Sequence, residues 1–334
     1  MPKRIKIRNK YIGENDPVFI IAEIGSNHNQ DFSLAKKLID VSAKAGVDAV
    51  KFQLFSADKL YPKTDKLYQI FKNIELNIDW IGKLKTYANS RNLIFFASAF
   101  DDKSIEILNN NQIPLYKWAS SETTNLYNLR KAASYGKPII ISTGMCDMAD
   151  VYEALQVCYS VGNDNIVLLH CTSLYPTRAD QVNINAMVSL INMFQVCAGL
   201  SDHTLSSTAA IAAVANGAKV IEKHITLDRK MKGPDHFYAI EPNELIKFVE
   251  AIRETEECMG SDKIEIHPDV VKIARREGIY AKSEINKGEV IKPEMLEVKR
   301  PALGVKSRYI RAIIGARAKR KISMNKPITW RDLC

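Results

Sequence analysis

The 334-residue chain has no run near the roughly twenty consecutive apolar residues that a bilayer crossing needs, so no membrane partner is expected. Its start, "MPKRIKIRNKYIGENDPVFIIAEIG", has basic residues but no long apolar core before a small-residue cleavage site, so no secretory leader is expected. The six cysteines (Cys146, Cys158, Cys171, Cys197, Cys258 and Cys334) are scattered. None forms CxxC, which argues against a zinc ribbon. Buried free thiols in a reducing, cytoplasmic setting are the expectation instead. The first apolar run is followed by "SNHNQ" and not by GxGxxG, which argues against an open dinucleotide-binding sheet. Low-complexity segments are also missing.

What is present is ordinary in composition and uneven in charge. Hydrophobic residues make up 46% and charged residues 25%, enough for a sizeable core. The length exceeds the roughly 250–300 residues at which one core stops growing, so a large domain plus a small one is expected. The net charge is +9, and residues 276–334 alone hold 15 Lys and Arg against 6 Asp and Glu. The rest of the chain is therefore balanced. This shift places a boundary near 260–280 and suggests an anionic ligand or partner for the tail.

Over the first 260 residues, short β-branched runs alternate with helix-like stretches. Strands are predicted at 18–25, 49–53, 93–100, 115–120, 138–144, 166–171, 196–203 and 219–226. "SLAKKLIDVSAKAG" (33–46) places Leu34, Leu38, Ile39 and Val41 at helical spacing and ends at Gly. Eight βα units in about 250 residues predict an α/β fold, a (β/α)8 TIM barrel over 1–260. Residues 261–275 read as a linker. Residues 276–334 read as a compact strand-rich domain, with "AKRKISMNKPITWRDL" similar to a second copy of the pattern around "NKG".

In such a barrel the C-terminal strand ends form the active face. The polar residues there are Glu23, Lys51, Gln53, Ser98, Lys117, Ser120, Glu122, Ser142, Thr143, His170, Ser201, Asp202, His203, Glu222 and His224. Alternation puts Lys51 with Gln53, Ser201 with His203, and Glu222 with His224 on shared faces. His203 and His224 would end neighbouring strands seven and eight, where two imidazoles can offer ligands to one divalent ion. Two core histidines with hydrogen-bonded rings are the plainer alternative. Lys51 and Lys117 would bind phosphate or carboxylate, form a Schiff base, or pair with Glu23 or Glu122. Glu23 and Glu122 are candidate acid/base groups or hydroxyl binders. Asp235 in "GPDH" would cap the site or serve as a turn residue. Tyr175 in "YPT" could lower a phenol over the mouth.

Taken in order, "IAEIGSNHN", "AVKFQ", "STGM", "HCTSLYPT", "GLSDHT", "VIEKHITLD" and "GPDH" resemble the sialic acid synthase family, the N-acetylneuraminate synthases and their legionaminate and pseudaminate relatives. "YAKSEINKGEVI" and "VKRPALG" resemble its C-terminal antifreeze-like SAF (β-clip) domain. The resemblance implies condensation of phosphoenolpyruvate with an N-acylated hexosamine aldehyde, giving a nine-carbon 2-keto acid and phosphate by C–O cleavage. It implies Lys51, Lys117, Ser120 and Ser201 on the phosphoenolpyruvate, and Mn2+ or Mg2+ on His203 and His224. Glu23 falls near the water or proton transfer, and Glu122, Gln53, Tyr175 and Asp235 fall near sugar hydroxyls. Arg300 in "VKRP" matches an arginine that crosses to the partner's barrel in a domain-swapped homodimer and binds the N-acyl end. No nucleic-acid role is expected for the tail.

The chain departs from the family pattern at four places. Gln30 stands where Gly is common and would stiffen the first loop. Ala99 replaces a Pro beside Ser98. Bulky Trp118 follows Lys117, and Ser173 stands where some members have Asn. These positions touch the sugar and phosphate surroundings. Intact "GPDH" favours sialic- or legionaminic-type acceptors over pseudaminic ones. A metal-dependent barrel hydrolase, for which "SNHN" offers one further His, and a Schiff-base aldolase are the alternatives.

Overall fold

The computed structural model describes residues 2–273 and 275–334, with side chains for all of these but 271–273. The chain forms two compact units, Met1–Gly260 and Ser261–Cys334. In the first, eight parallel strands close into a barrel. They are β1 (Phe19–Gly25), β2 (Ala49–Leu54), β3 (Ile94–Ala99), β4 (Tyr116–Trp118), β5 (Ile139–Ser142), β6 (Ile166–His170), β7 (Cys197–Asp202) and β8 (Val220–His224). The ends differ from the expected ones by a residue or two, as strand ends commonly do. Among the described residues no helix is long and apolar enough to cross a membrane.

The helices form where the sequence supplies caps and an apolar stripe. Asp31 accepts from the Ser33 and Leu34 amides to start the helix Phe32–Ala45, and Gly46 ends it in the left-handed conformation at φ 80°. Leu34, Leu38 and Ile39 are buried on its inner face, while Val41 is only partly covered. The helix Pro242–Met259 begins on a Glu241/Glu244 capping box and buries Leu245, Phe248, Val249 and Ile252.

Each strand divides its residues between two cores. One set, including Ile20, Phe52, Phe95 and Leu200, faces the helices. The other forms a separate inner cluster of Phe19, Ile21, Ala49, Ile94, Phe96, Leu115, Ile140, Val167, Leu169, Cys197 and Val220. Ile5, Ile7 and Ile12 complete that cluster. They come from an antiparallel hairpin, Ile5–Ile7 and Lys10–Ile12, that the sequence reading left unassigned. It packs on the inner residues nearest the strand starts. The lower barrel is therefore apolar, and on β1 to β5 and β8 the next residue on the same face is polar: Glu23, Lys51, Ser98, Lys117, Ser142 and Glu222.

In the second unit the expected strands condense to one antiparallel pair, β9 (Gly278–Ala281) and β10 (Leu296–Lys299). The remaining pairings are isolated bridges such as Ile285–Ile322 and Tyr280–Pro327. The two similar sequence stretches each lead into a short 3-10 turn, Pro293–Met295 and Trp330–Asp332. The segment expected as linker contains a helix, Pro268–Ile273.

Gly199 on β7 is paired with Val220 on β8, where no side chain fits. A Cβ there would lie 1.9 Å from the Val220 carbonyl oxygen on β8. Gly199→Ala is therefore expected to cost at least ~3 kcal/mol, by forced separation of β7 and β8. A denaturant-unfolding midpoint matching wild type would show that the wall can yield.

Candidate active site

The register of the barrel brings the polar strand ends side by side. Glu23 is paired with Lys51 across β1–β2 and with His224 across β8–β1. Gln53 is opposite Ser98, Ser98 opposite Lys117, and Glu222 opposite Ser201. A bulge between Glu23 and Gly25 ends the β1 ladder. Gly25 there takes φ 55°, and a Cβ would lie 3.2 Å from Asp235 Oδ2. The turn thus needs glycine both for its backbone and for the loop packed on it.

The floor is a buried chain of alternating charge. Lys51 Nζ lies 3.0 Å from Glu23 Oε2 and 3.6 Å from Glu222 Oε2. Lys117 Nζ lies 3.9 Å from Glu222 Oε1. Each of the four is almost fully buried. Hydroxyls fill the remaining valences: Lys51 donates to Ser98 at 3.2 Å, Lys117 to Ser142 at 2.5 Å, and Ser201 to Glu222 at 3.0 Å. Gln53 donates to Glu23 Oε1 at 2.8 Å. Ser120 lies beside the floor and accepts from the Gly144 amide at 3.0 Å, with its Oγ 3.1 Å from the Cys171 thiol.

Charge state follows from burial and neighbours. Burial, with Glu222 nearby, raises the Glu23 carboxyl to about 7 despite Lys51. Burial alone would raise Glu222 also, but Lys117 and Lys51 hold it down at about 2. Burial pulls Lys117 below the usual lysine range. Lys51 stays above it because Glu222 and Glu23 outweigh burial.

His203 and His224 stand beside this chain with ring centroids 5.6 Å apart. Burial lowers both to about 4, so they are neutral near pH 7. His203 Nδ1 donates to the Thr172 carbonyl at 2.8 Å. Ser201, 3.3 Å from His203 Nε2, gives its proton to Glu222, so that nitrogen keeps its lone pair. Tyr238 donates to Asp235 Oδ1 at 2.9 Å, which leaves its oxygen to accept from His224 Nδ1 at 3.3 Å. Outer partners thus fix the tautomer in which Nε2 is the ligand atom of each ring. Among the described residues no three His, Cys, Asp or Glu side chains converge as a metal cage. The donor set fits a divalent ion with two protein nitrogens and positions left for substrate or water.

Every residue given a site role from the barrel sequence lines one cavity of about 530 Å3, Glu122, Ser173, Tyr175 and Asp235 included, whereas the strand-end residues Thr143, His170 and Asp202 do not line it. Tyr175 covers His203 at a ring distance of 4.3 Å, and burial keeps its phenol protonated. Ser26 donates to Asp235 Oδ2 at 2.8 Å, so the "GPDH" loop is tied to the first loop as well as to Tyr238. Arg300 belongs to the second unit, where it is exposed beside Glu277 and shares a basic recess with Arg276, Lys306 and Arg308. Of the departures, Trp118 and Ala99 face the helix layer and not the site. The Trp118 indole donates to the Glu122 carbonyl at 2.7 Å. Gln30 takes φ 54°, a conformation suited to glycine, and its amide donates to the Glu75 and Lys72 carbonyls. His28 is buried against Phe52 and Trp80, which removes the further ligand that a hydrolase would have drawn from "SNHN".

The sequence places Glu222 and Ser142 among the polar strand ends but assigns them no role in the chemistry. Glu222 shares His224's face and joins both lysines, so its parity was the available signal. Ser142, which ends β5, had the same signal.

A closed (β/α)8 barrel whose mouth holds paired buried lysines and carboxylates beside two neutral histidines defines a barrel protein with an enzyme-like cavity at its mouth. Residues 38–264 match the NeuB family model and residues 276–333 match the SAF domain. The chain belongs to the NeuB family. It is 37% identical to N,N'-diacetyllegionaminic acid synthase of Legionella pneumophila, with 96% of each chain covered. It is 33% identical to human N-acetylneuraminate-9-phosphate synthase, over 90% of this chain and 88% of that one. The crystal structure of N-acetylneuraminic acid (sialic acid) synthetase from Leptospira borgpetersenii, in complex with citrate, superposes with a TM-score of 0.78 at 32% identity. It covers 82% of this chain and 95% of that one.

The raised Glu23 has a signed consequence for stability. The folded protein holds a proton there that the unfolded chain releases at about 4.5. Between pH 4.5 and 7 wild type therefore loses stability relative to Glu23→Gln, by about 3 kcal/mol at 1.36 kcal/mol per pH unit. Denaturation of both proteins at pH 5 and pH 8 measures this; a constant gap would show that Glu23 ionises normally.

Proposed function

We propose that the protein condenses phosphoenolpyruvate with the open-chain aldehyde of an N-acylated hexosamine, giving a nine-carbon 2-keto acid and inorganic phosphate. What carries the reading is the floor itself: two lysines and four serine hydroxyls (Ser98, Ser120, Ser142 and Ser201) gathered in one cavity with two ligand-ready histidines. Its relatives named as legionaminic and neuraminate-9-phosphate synthases support it.

The floor suits a doubly anionic small molecule. Lys51 and Lys117 present their ammonium groups at the cavity floor, where a phosphate or carboxylate would add a further anionic partner to each. Ser142 and Ser120 add hydroxyls around Lys117, with Ser120 fixed by the Gly144 amide that donates to it. In the reaction C3 of phosphoenolpyruvate bonds to the aldehyde carbon, water adds at C2, and the C2–O bond breaks to release phosphate. Glu23, poised near neutrality and held by Gln53, is the group placed to move a proton at the aldehyde oxygen or the attacking water. Asp235, Glu122 and Gln53 present acceptors and an amide to the sugar. His203 and His224 would hold a divalent ion, Mn2+ or Mg2+, which would act as a Lewis acid on the aldehyde when bound. Tyr175, with its phenol protonated, shields His203. Arg300, in a domain-swapped homodimer, would close the site over the N-acyl end from the partner.

Phosphate release from phosphoenolpyruvate should require an N-acyl hexosamine and a divalent ion. EDTA should abolish it, and His203→Ala or His224→Ala should lower kcat by at least ~100-fold with the fold intact by circular dichroism. Release that persists in EDTA would sink the metal part of the reading. Arg300→Ala should raise the acceptor KM; unchanged KM and kcat would exclude the second unit from the site. The lowered Lys117 favours one rival, Schiff-base catalysis. Borohydride reduction with substrate present should leave the mass of the protein unchanged, and a trapped adduct on Lys117 would support the aldolase instead.

A further inference from the structure

Above its charged floor the cavity changes character. The segment after β2 folds into two short helices, Ala57–Leu60 and Lys66–Lys72, and lays Leu60, Tyr61, Ile70 and Phe71 along one wall. Met145 and Phe237 also line the cavity. Ile70, Met145 and Phe237 are 49%, 60% and 55% exposed, so this apolar rim lacks cover within the chain.

The segment is seated, not loose. Phe71 packs on Tyr61 at 4.8 Å and on Phe55 at 5.5 Å. Glu75 accepts from the Ala57 amide at 2.6 Å, and Gln30 holds the Glu75 and Lys72 carbonyls from the first loop. The residue standing where family members commonly carry glycine is thus the one that fastens this wall.

The charged groups lining the upper part of the cavity have one sign. They are the carboxylates Glu122 and Asp235, and Glu122 acts electrostatically on Tyr61 in the wall. Among the described residues, the lysines lining the cavity are Lys51 and Lys117, both at the floor and both paired with carboxylates. The segment's own four lysines do not line it: Lys59, Lys63 and Lys66 are exposed, and Lys72 is paired with Asp58 and Glu75. A phosphate ester on the acceptor carries about −1.5 to −2 charge near pH 7 and would meet two carboxylates and hydrocarbon. Acyl methyls and a deoxygenated terminal carbon would instead bury apolar surface on Ile70, Phe71, Met145 and Phe237.

We propose that residues 57–74, with Met145 and Phe237, select the acceptor, and that they select an unphosphorylated hexosamine bearing apolar N-acyl and deoxy substituents. This rests on the synthase reading above. The wall supplies differential affinity through hydrocarbon contact with the substituents, and exclusion through Glu122 and Asp235.

The test uses the full-length protein with phosphoenolpyruvate and Mn2+. The acceptors are N-acetylmannosamine, its 6-phosphate and 2,4-diacetamido-2,4,6-trideoxymannose, with phosphate release and product mass as readouts. The expected order of kcat/KM is the trideoxy sugar, then N-acetylmannosamine, with the 6-phosphate at least ~100-fold below the first. Ile70→Lys should cut the trideoxy sugar's kcat/KM about 10-fold through KM and raise that of the 6-phosphate. Ile70→Met should keep the wild-type order. Equal or better use of the 6-phosphate by wild type, or an order unmoved by Ile70→Lys, overturns the proposal while leaving the synthase reading intact. Turnover of none of the three overturns the synthase reading itself, and this inference with it.

Discussion

The structure turns on one interaction, the buried chain Glu23–Lys51–Glu222–Lys117. Two ammonium groups and two carboxylates taken from water cost several kcal/mol each, and mutual pairing with hydroxyl donors is what offsets that cost. The four groups come from β1, β2, β8 and β4, so the pairing exists only when the barrel is closed in this register. The floor is then close to neutral as a whole, yet it holds two lysines in a pocket open to the mouth. The two ammonium groups are thus fixed in place before any ligand arrives, which lowers the ordering cost of binding.

The surroundings serve that chain. Below it lies the apolar inner cluster, sealed by Ile5, Ile7 and Ile12 of the N-terminal hairpin. This keeps water from the lower barrel and strengthens every charge interaction above it. Beside it the loops orient the imidazoles: the Thr172 carbonyl sets His203, and Tyr238, itself tied to Asp235, sets His224. Asp235 also holds Ser26 next to the Glu23–Gly25 bulge. A disturbance at "GPDH" would therefore reach both the histidine and the carboxylate through direct hydrogen bonds. The apolar wall of residues 57–74 is attached to the same first loop through Gln30.

Much of the site could be read before any coordinates because barrel strands obey a period of two. Lys51 and Gln53, or Glu222 and His224, fall on one face by counting alone, and the cavity contains them. The same count places Trp118 opposite to Lys117, and Ala99 opposite to Ser98. Both were expected near the substrates, and both instead pack in the helix layer. The hairpin was hidden because two three-residue strands are too short to show a period. The second unit misled for a related reason: its chain makes single bridges and turns more than ladders, so β-like composition overstated the regular strand.

Alternation of strand and helix, the inward parity of each polar residue and the basic excess of the last sixty residues are local properties of the chain, legible without coordinates. Which charge answers which is not local. Glu222 lies 171 positions from Lys51 in the chain yet 3.6 Å from its amine, because closure sets β8 beside β1 and β1 beside β2. The lone pairs of His203 and His224 are likewise decided by a carbonyl and a phenol on other segments. Covalent order specifies the groups and the face each occupies; only the closed barrel, by matching registers around a ring, specifies their neighbours and hence their charge.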